Sequence, residues 1–172
     1  MTPDLGAEIA RAAQEAESSY HRLVLLIGPA RSGKTGLLLE LAKSQGWPRL
    51  NVNLALSEQL LELSQSQRAR RASRVLEDMM RAVGAPVVLL DNLEVLFGVE
   101  LQLDPVRLLQ HLSRNQTIVA AWPGALENGY LVYAEPSHPE YRRSTQSAAT
   151  ILDISPKAGF ESSSDSLDET RA

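Results

Sequence analysis

The stretch "LVLLIGPARSGKTGLLLELAKSQG" (residues 23–46) joins a short apolar run to a glycine loop and then to a helical pattern. A run that is apolar on both faces is what a strand buried inside a parallel sheet requires. In "GPARSGKT" (28–35), a glycine, four residues and then Gly-Lys-Thr have the spacing of a phosphate-gripping loop. Gly28 and Gly33 let the backbone curl so that successive N–H groups point at phosphate oxygens. Lys34 reaches the outer phosphates, and the Thr35 hydroxyl is placed to ligand Mg²⁺. The helix opening at Lys34 turns its positive end towards the anion, and Gly46 can stop it. The competing reading is a glycine-rich turn that merely joins strand to helix, but a strand before and a helix after are the context a phosphate loop needs. The binding set is therefore Gly28, Pro29, Ala30, Arg31, Ser32, Gly33, Lys34, Thr35 and Gly36, with Arg31 facing solvent or a neighbouring phosphate.

Outward from the loop, strands alternate with helices. Residues 3–20 carry a helical apolar stripe. "RLNVNLAL" (49–56) reads as a second strand, and residues 57–83 as helical, with Leu60, Leu61, Leu63, Val75, Leu76, Met79, Met80 and Val83 as candidate buried positions. The basic stretch "RARRASR" (68–74) interrupts that pattern and marks a bend or a second helix. "PVVLLD" (86–91) and "QTIVAAW" (116–122) are doubly apolar strands; between them Asp104 caps a helix with Pro105 in its first turn. "GYLVYAE" (129–135) and "ATILDI" (149–154) are further strands. The expected fold is an α/β P-loop nucleoside-triphosphatase core, a parallel sheet with helices on both faces. Residues 1–154 form one domain, and the polar, Ser-rich, acidic residues 155–172 a disordered tail.

A phosphate loop needs a second carboxylate at the end of a neighbouring apolar strand. "VVLLD" supplies Asp91, which with Thr35 makes the metal pair; a plain capping Asp is the alternative. Many ATPases follow this aspartate with a glutamate that polarises water. Here that position is Asn92, which can orient water as an amide, and the nearest acid is Glu94, either a general base or surface charge.

The chain has 172 residues, 44% apolar and 22% charged, with a net charge of −4 and a pI near 5.4. That balance excludes nucleic-acid binding by bulk electrostatics. The absence of cysteine excludes disulfides and thiolate chemistry and fits a reducing compartment. No apolar stretch approaches the ~20 residues that span a bilayer, and the N-terminus lacks a signal-peptide pattern. The expectation is a cytoplasmic protein without a membrane contact.

At "LVLLIGPARSGKT" (23–35), "VVLLDNLEVLF" (87–97), "TIVAAWPG" (117–124) and "GYLVYAEPSHPEYRR" (129–143) the chain resembles BrxF, the small P-loop family of BREX-type bacteriophage-exclusion systems, chiefly type 3. The resemblance covers residues 20–155. It implies an ATP-binding component, with Mg²⁺, of a multi-protein defence system that includes a large ATPase, a DNA methyltransferase and an alkaline-phosphatase-like protein. It also implies a RecA- or AAA-like, additional-strand (ASCE) core with the "TIVAAW" strand between the two phosphate-site strands. Two departures from the wider AAA pattern stand out. The chain has no room for a helical lid domain, and Trp122 stands where a polar sensor residue is usual.

Ring ATPases often complete the site with an arginine from the next subunit. Arg142 and Arg143, on a loop after a strand, are the candidates for a homo-oligomer, and Arg114 is the runner-up; solvating a turn or pairing with Glu140 is the alternative. His138 reads as structural, and Trp122 and Trp47 as core or interface packing. Arg68, Arg70, Arg71 and Arg74 share a helix and could meet DNA phosphates, an acidic partner or only solvent. Three functions follow in order: an oligomeric ATPase switch or motor subunit of a defence complex, a nucleotide-binding adaptor with little hydrolysis, and a small-molecule kinase. The kinase ranks last, because "NVNLAL" supplies neither the acid nor the arginines that kinases of this size carry.

Overall fold

The computed structural model describes residues 4–29, 31–134, 136–145 and 149–155. Within them lie α1 (Leu5–Ala16), β1 (Leu23–Ile27), α2 (Lys34–Gln45), β2 (Arg49–Asn51), α3 (Val52–Leu60), α4 (Gln65–Val83), β3 (Val87–Asp91), α5 (Pro105–Leu112) and β4 (Thr117–Trp122). The strands β5 (Ala125–Glu127), β6 (Tyr130–Tyr133), β7 (Arg142–Thr145) and β8 (Thr150–Asp153) follow. Two 3-10 turns, Glu94–Phe97 and Val99–Leu101, join β3 to α5. Ala30 and, of the expected tail over 155–172, all but Ser155 lie outside the described residues.

The main sheet is parallel, in the order β2-β3-β4-β1-β8. β4 thus separates β1, which carries the glycine loop, from β3, which carries Asp91. Because successive strand residues point to opposite faces, the apolar runs feed two cores. Val24, Leu26, Leu89, Val119 and Ala121 pack on α1 and α2. Leu25, Ile27, Leu90, Ile118 and Trp122 pack on α3, α4 and α5. The fold is therefore the expected α/β P-loop class, with helices on both faces, and among the described residues no helix follows β4.

Four local expectations change. The strand at 49–56 ends at Asn51, whose side chain accepts from the Leu54 amide at 3.0 Å and caps α3. From there Val52, Leu56 and Leu60 recur every fourth residue on a buried face. The helical region 57–83 breaks before the basic stretch rather than within it. A capping box between Ser64 and Gln67 starts α4 there, and Leu61 is left 72% exposed and Val83 37% exposed instead of buried.

The third change is a small antiparallel sheet, β5-β6-β7. Its first turn is Asn128-Gly129, both at positive φ (50° and 80°), the two-residue geometry that suits a hairpin. The fourth is that Arg142 and Arg143 lie on strand β7, not on a loop. This sheet is tied to the main one through Trp122, which is 1% exposed at the end of β4. The Trp122 ring meets Phe97 edge-on at 5.2 Å, and Phe97 stacks on Tyr133 at 3.9 Å. Gly124 is required here, since a Cβ would collide with the Val132 carbonyl and lie 3.0 Å from Trp122 Nε1.

Candidate nucleotide site

β1 delivers the loop to the carboxyl edge of the sheet, and α2 begins where the loop ends. Gly33 sits at φ 96° and Arg31 at φ 64°, the left-handed turns that curl the loop. Gly28 is required for a different reason: a Cβ there would lie 2.6 Å from Ser32 Oγ and 3.1 Å from Ile154 Cγ1 of the chain leaving β8. Ser32 Oγ is itself buried with no hydrogen-bond partner among the described residues. A curled loop with a buried, unpartnered hydroxyl fits an anion that would accept from it. Arg31 is exposed at the cavity edge, a position open both to solvent and to a neighbouring phosphate.

Lys34 bends back on the loop, donating to the Gly28 carbonyl and to that of Pro29 at 3.0 Å. Partial burial lowers its pKa, and the charges of Glu94 and Asp91 oppose that shift in part. Phosphate oxygens need the ammonium, so the bound state holds this proton more tightly than the free state. Nucleotide affinity is therefore expected to fall as pH rises through the lowered pKa of the free protein, by about tenfold per pH unit where one proton is taken up on binding. A fluorescent-nucleotide titration at a series of alkaline pH values reads this slope; a flat profile would show that the ammonium is not needed.

Asp91, at the end of β3, is 2% exposed. Its Oδ1 accepts from Thr35 Oγ1 at 3.2 Å and from the Asn92 amide at 2.9 Å. Its Oδ2 takes both Nε and a terminal nitrogen of Arg49, at 3.2 and 2.8 Å. Arg49 is a site residue that sequence reasoning missed, because only the β2–β3 pairing brings it there. Asn92 adopts φ 55°, and its carbonyl accepts from the Asn53 amide at 3.0 Å, tying the acidic turn to α3.

Arg31, Ser32, Gly33, Lys34, Thr35, Gly36, Asp91, Asn92, Glu94 and Ala121 line one cavity of about 410 Å³. Its donor set suits a magnesium–nucleotide: backbone amides and an ammonium for phosphates, and a hydroxyl beside a carboxylate for a hard cation. Glu94 is exposed on the rim. Tyr133 is also near: burial raises its pKa, as do the Glu140 and Glu94 charges.

The other candidates lie elsewhere. Neither Arg142 nor Arg143 lines the cavity, and the Arg143 guanidinium sits 3.8 Å above the Tyr130 ring. Arg114 precedes β4 at the opposite edge of the sheet, bonded to Tyr20 and lying 4.8 Å over its ring. His138 accepts from the Glu140 amide at 3.0 Å within its own turn.

Arg68 is not free for DNA. It donates to the carbonyls of Leu60, Leu61 and Leu63 at 2.9, 3.0 and 3.0 Å, closing the end of α3. Arg70, Arg71 and Arg74 remain exposed, and Arg74 lies 4.0 Å from Asp78. Arg68→Ala is expected to cost about 1–3 kcal/mol in urea denaturation, because it orphans those carbonyls. No described helix is long and apolar enough to cross a membrane.

No protein-family model matches the chain. Over 91 residues it is 34% identical to a vesicle-fusing ATPase of Caenorhabditis elegans, covering 53% of this chain and 11% of that protein. Among solved structures it is similar to C. elegans PCH-2, with a TM-score of 0.45, 17% identity, and coverage of 96% of this chain and 47% of that one. It is similar also to the Walker-type ATPase of Pyrococcus abyssi, with a TM-score of 0.45, 17% identity, and coverage of 87% and 53%. The chain thus spans about half the length of those two structures and a small part of the vesicle-fusing ATPase. Over its matched stretch the chain is similar to part of one ATPase.

Proposed function

We propose that the protein binds Mg²⁺–ATP and hydrolyses it slowly, as an oligomeric nucleotide-dependent switch or motor subunit of an anti-phage BREX complex. The contact between Thr35 and Asp91 at the mouth of the glycine loop carries the nucleotide part of this reading. Lys34 leaves the Gly28 and Pro29 carbonyls to take the outer phosphates, and the loop amides hold the inner ones. Thr35 and Asp91 would hold the metal, which would supply positive charge to the phosphates. Asn92 and Glu94 stand on the cavity wall where water would be oriented; Glu94 is the general base and Asn92 the amide that aligns it. Arg142 or Arg143 of a second copy then supplies a further positive charge, since neither lines its own chain's cavity.

The defence setting rests on the resemblance at "GYLVYAEPSHPEYRR" (129–143), which also suggests the large BREX ATPase as partner and a cytoplasmic location. Any DNA contact uses Arg70, Arg71 and Arg74, with Arg68 committed to α3. The exposure of Glu94, with Asn92 where a glutamate is usual, favours one second reading: a nucleotide-binding adaptor that scarcely turns over.

Phosphate release from the purified protein with and without duplex DNA, alongside native mass in ADP and in ATP, separates the two. Magnesium-dependent release with ATP-dependent assembly is expected. Tight nucleotide binding with no release, even with DNA, would establish the adaptor instead.

A further inference from the structure

A permanent cation already sits on the carboxylate that the proposed chemistry needs. Arg49 opens β2 opposite Leu89, and Asn51 pairs with Asp91, so the arginine reaches two residues along β3 to hold Asp91 Oδ2 with two nitrogens. With Thr35 and the Asn92 amide on Oδ1, both oxygens are fully engaged by the chain itself. The Asp91 side chain is only 3% exposed and that of Arg49 25%. A buried carboxylate without a counter-charge is strongly destabilising. Thr35 and the amide supply hydrogen bonds but no net charge, so Arg49 is what neutralises it. The same positive charge repels any divalent cation that approaches the carboxylate.

We propose that Arg49 is a positioning residue that sets the divalent-cation requirement of the site. It keeps Asp91 aimed at Thr35 when the site is empty and opposes capture of a bare cation. The metal then enters with the phosphates, whose negative charge offsets the arginine, rather than ahead of them. The proposal rests on the cavity being a Mg²⁺–nucleotide site.

The test is binding, not turnover. Mn²⁺ is titrated by electron paramagnetic resonance against the wild type, Arg49→Gln and Arg49→Lys, each with and without ADP. Fluorescent ADP is titrated in parallel in excess chelator. Arg49→Gln is expected to lower the half-saturating Mn²⁺ concentration by roughly tenfold, from the loss of one nearby charge, and to bind Mn²⁺ without nucleotide. Arg49→Lys keeps the charge and is expected to stay close to the wild type, whether or not Arg49→Gln folds. Unchanged or weaker Mn²⁺ binding by a folded Arg49→Gln overturns the proposal. So does a large shift in Arg49→Lys, which would make the two-nitrogen geometry, not the charge, decisive. A wild type that binds neither ADP nor Mn²⁺–ADP would sink the nucleotide reading itself, a different outcome from either.

Discussion

Lys34→Ala lowers magnesium-dependent phosphate release by on the order of 10²–10³, the loss that follows removal of one preorganised donor aimed at developing charge. The effect is large because nothing else in the cavity does the same work. The remaining cation at the site, Arg49, is bound to Asp91, and Arg31 is exposed. The cost to the protein without ligand is small, since among the described residues Lys34 bonds to the Gly28 and Pro29 carbonyls of its own loop. Nucleotide affinity and release should therefore collapse together while the melting temperature stays within a few degrees. A variant that still releases phosphate at the wild-type rate would remove the glycine loop from the chemistry.

The largest effect on stability is expected at Trp122. Trp122→Ala empties a fully buried site beside Phe97 and should cost about 3–5 kcal/mol, a fall in melting temperature on the order of 10 °C for a chain of this size. Trp122→Phe should cost far less, about 1 kcal/mol. The indole Nε1 is buried with no partner among the described residues, so Phe removes an unsatisfied donor at the same time as it removes ring volume. Chemical denaturation of the two variants checks both values. A Phe variant as unstable as the Ala variant would mean that the indole N–H has a partner after all.

The sequence carried the frame of this protein further than its details. Doubly apolar strands and a loop followed by a helix made the parallel sheet, the curled glycine loop and the place of Asp91 at a strand end legible, because each depends on local pattern. What escaped depends on partners distant in the chain. Strand β7 reads "RRST", a polar edge strand recognisable only from its pairing with β6. The Asn128-Gly129 turn between β5 and β6 is a local hairpin signal that could have been found. The cut at Asn51 was hidden because "NVNLAL" alternates well enough for a strand until the Asn51 cap is considered. Arg49 drew no reading of its own, and Arg68 read only as one of four arginines on a helix. One is defined by a carboxylate on a neighbouring strand and the other by backbone carbonyls, which leave no mark in a side-chain pattern.

The placement of β1 has a consequence for how the molecule comes together. Leu23 pairs with Ile118, and Val24 with Thr150, so the strand bearing the glycine loop gains its two neighbours from the far half of the chain. Gly28 is then packed against Ile154, just beyond β8. During synthesis the loop emerges before both of these neighbours, and its strand stays unpaired until β4 and then β8 arrive. Contacts so remote in sequence form slowly, because the intervening chain must be closed before they repay its entropy. The loop's sequence is complete before its geometry, which is finished only when both later strands are in place. Any ligand that holds the finished loop therefore favours that final closure over every partly folded state.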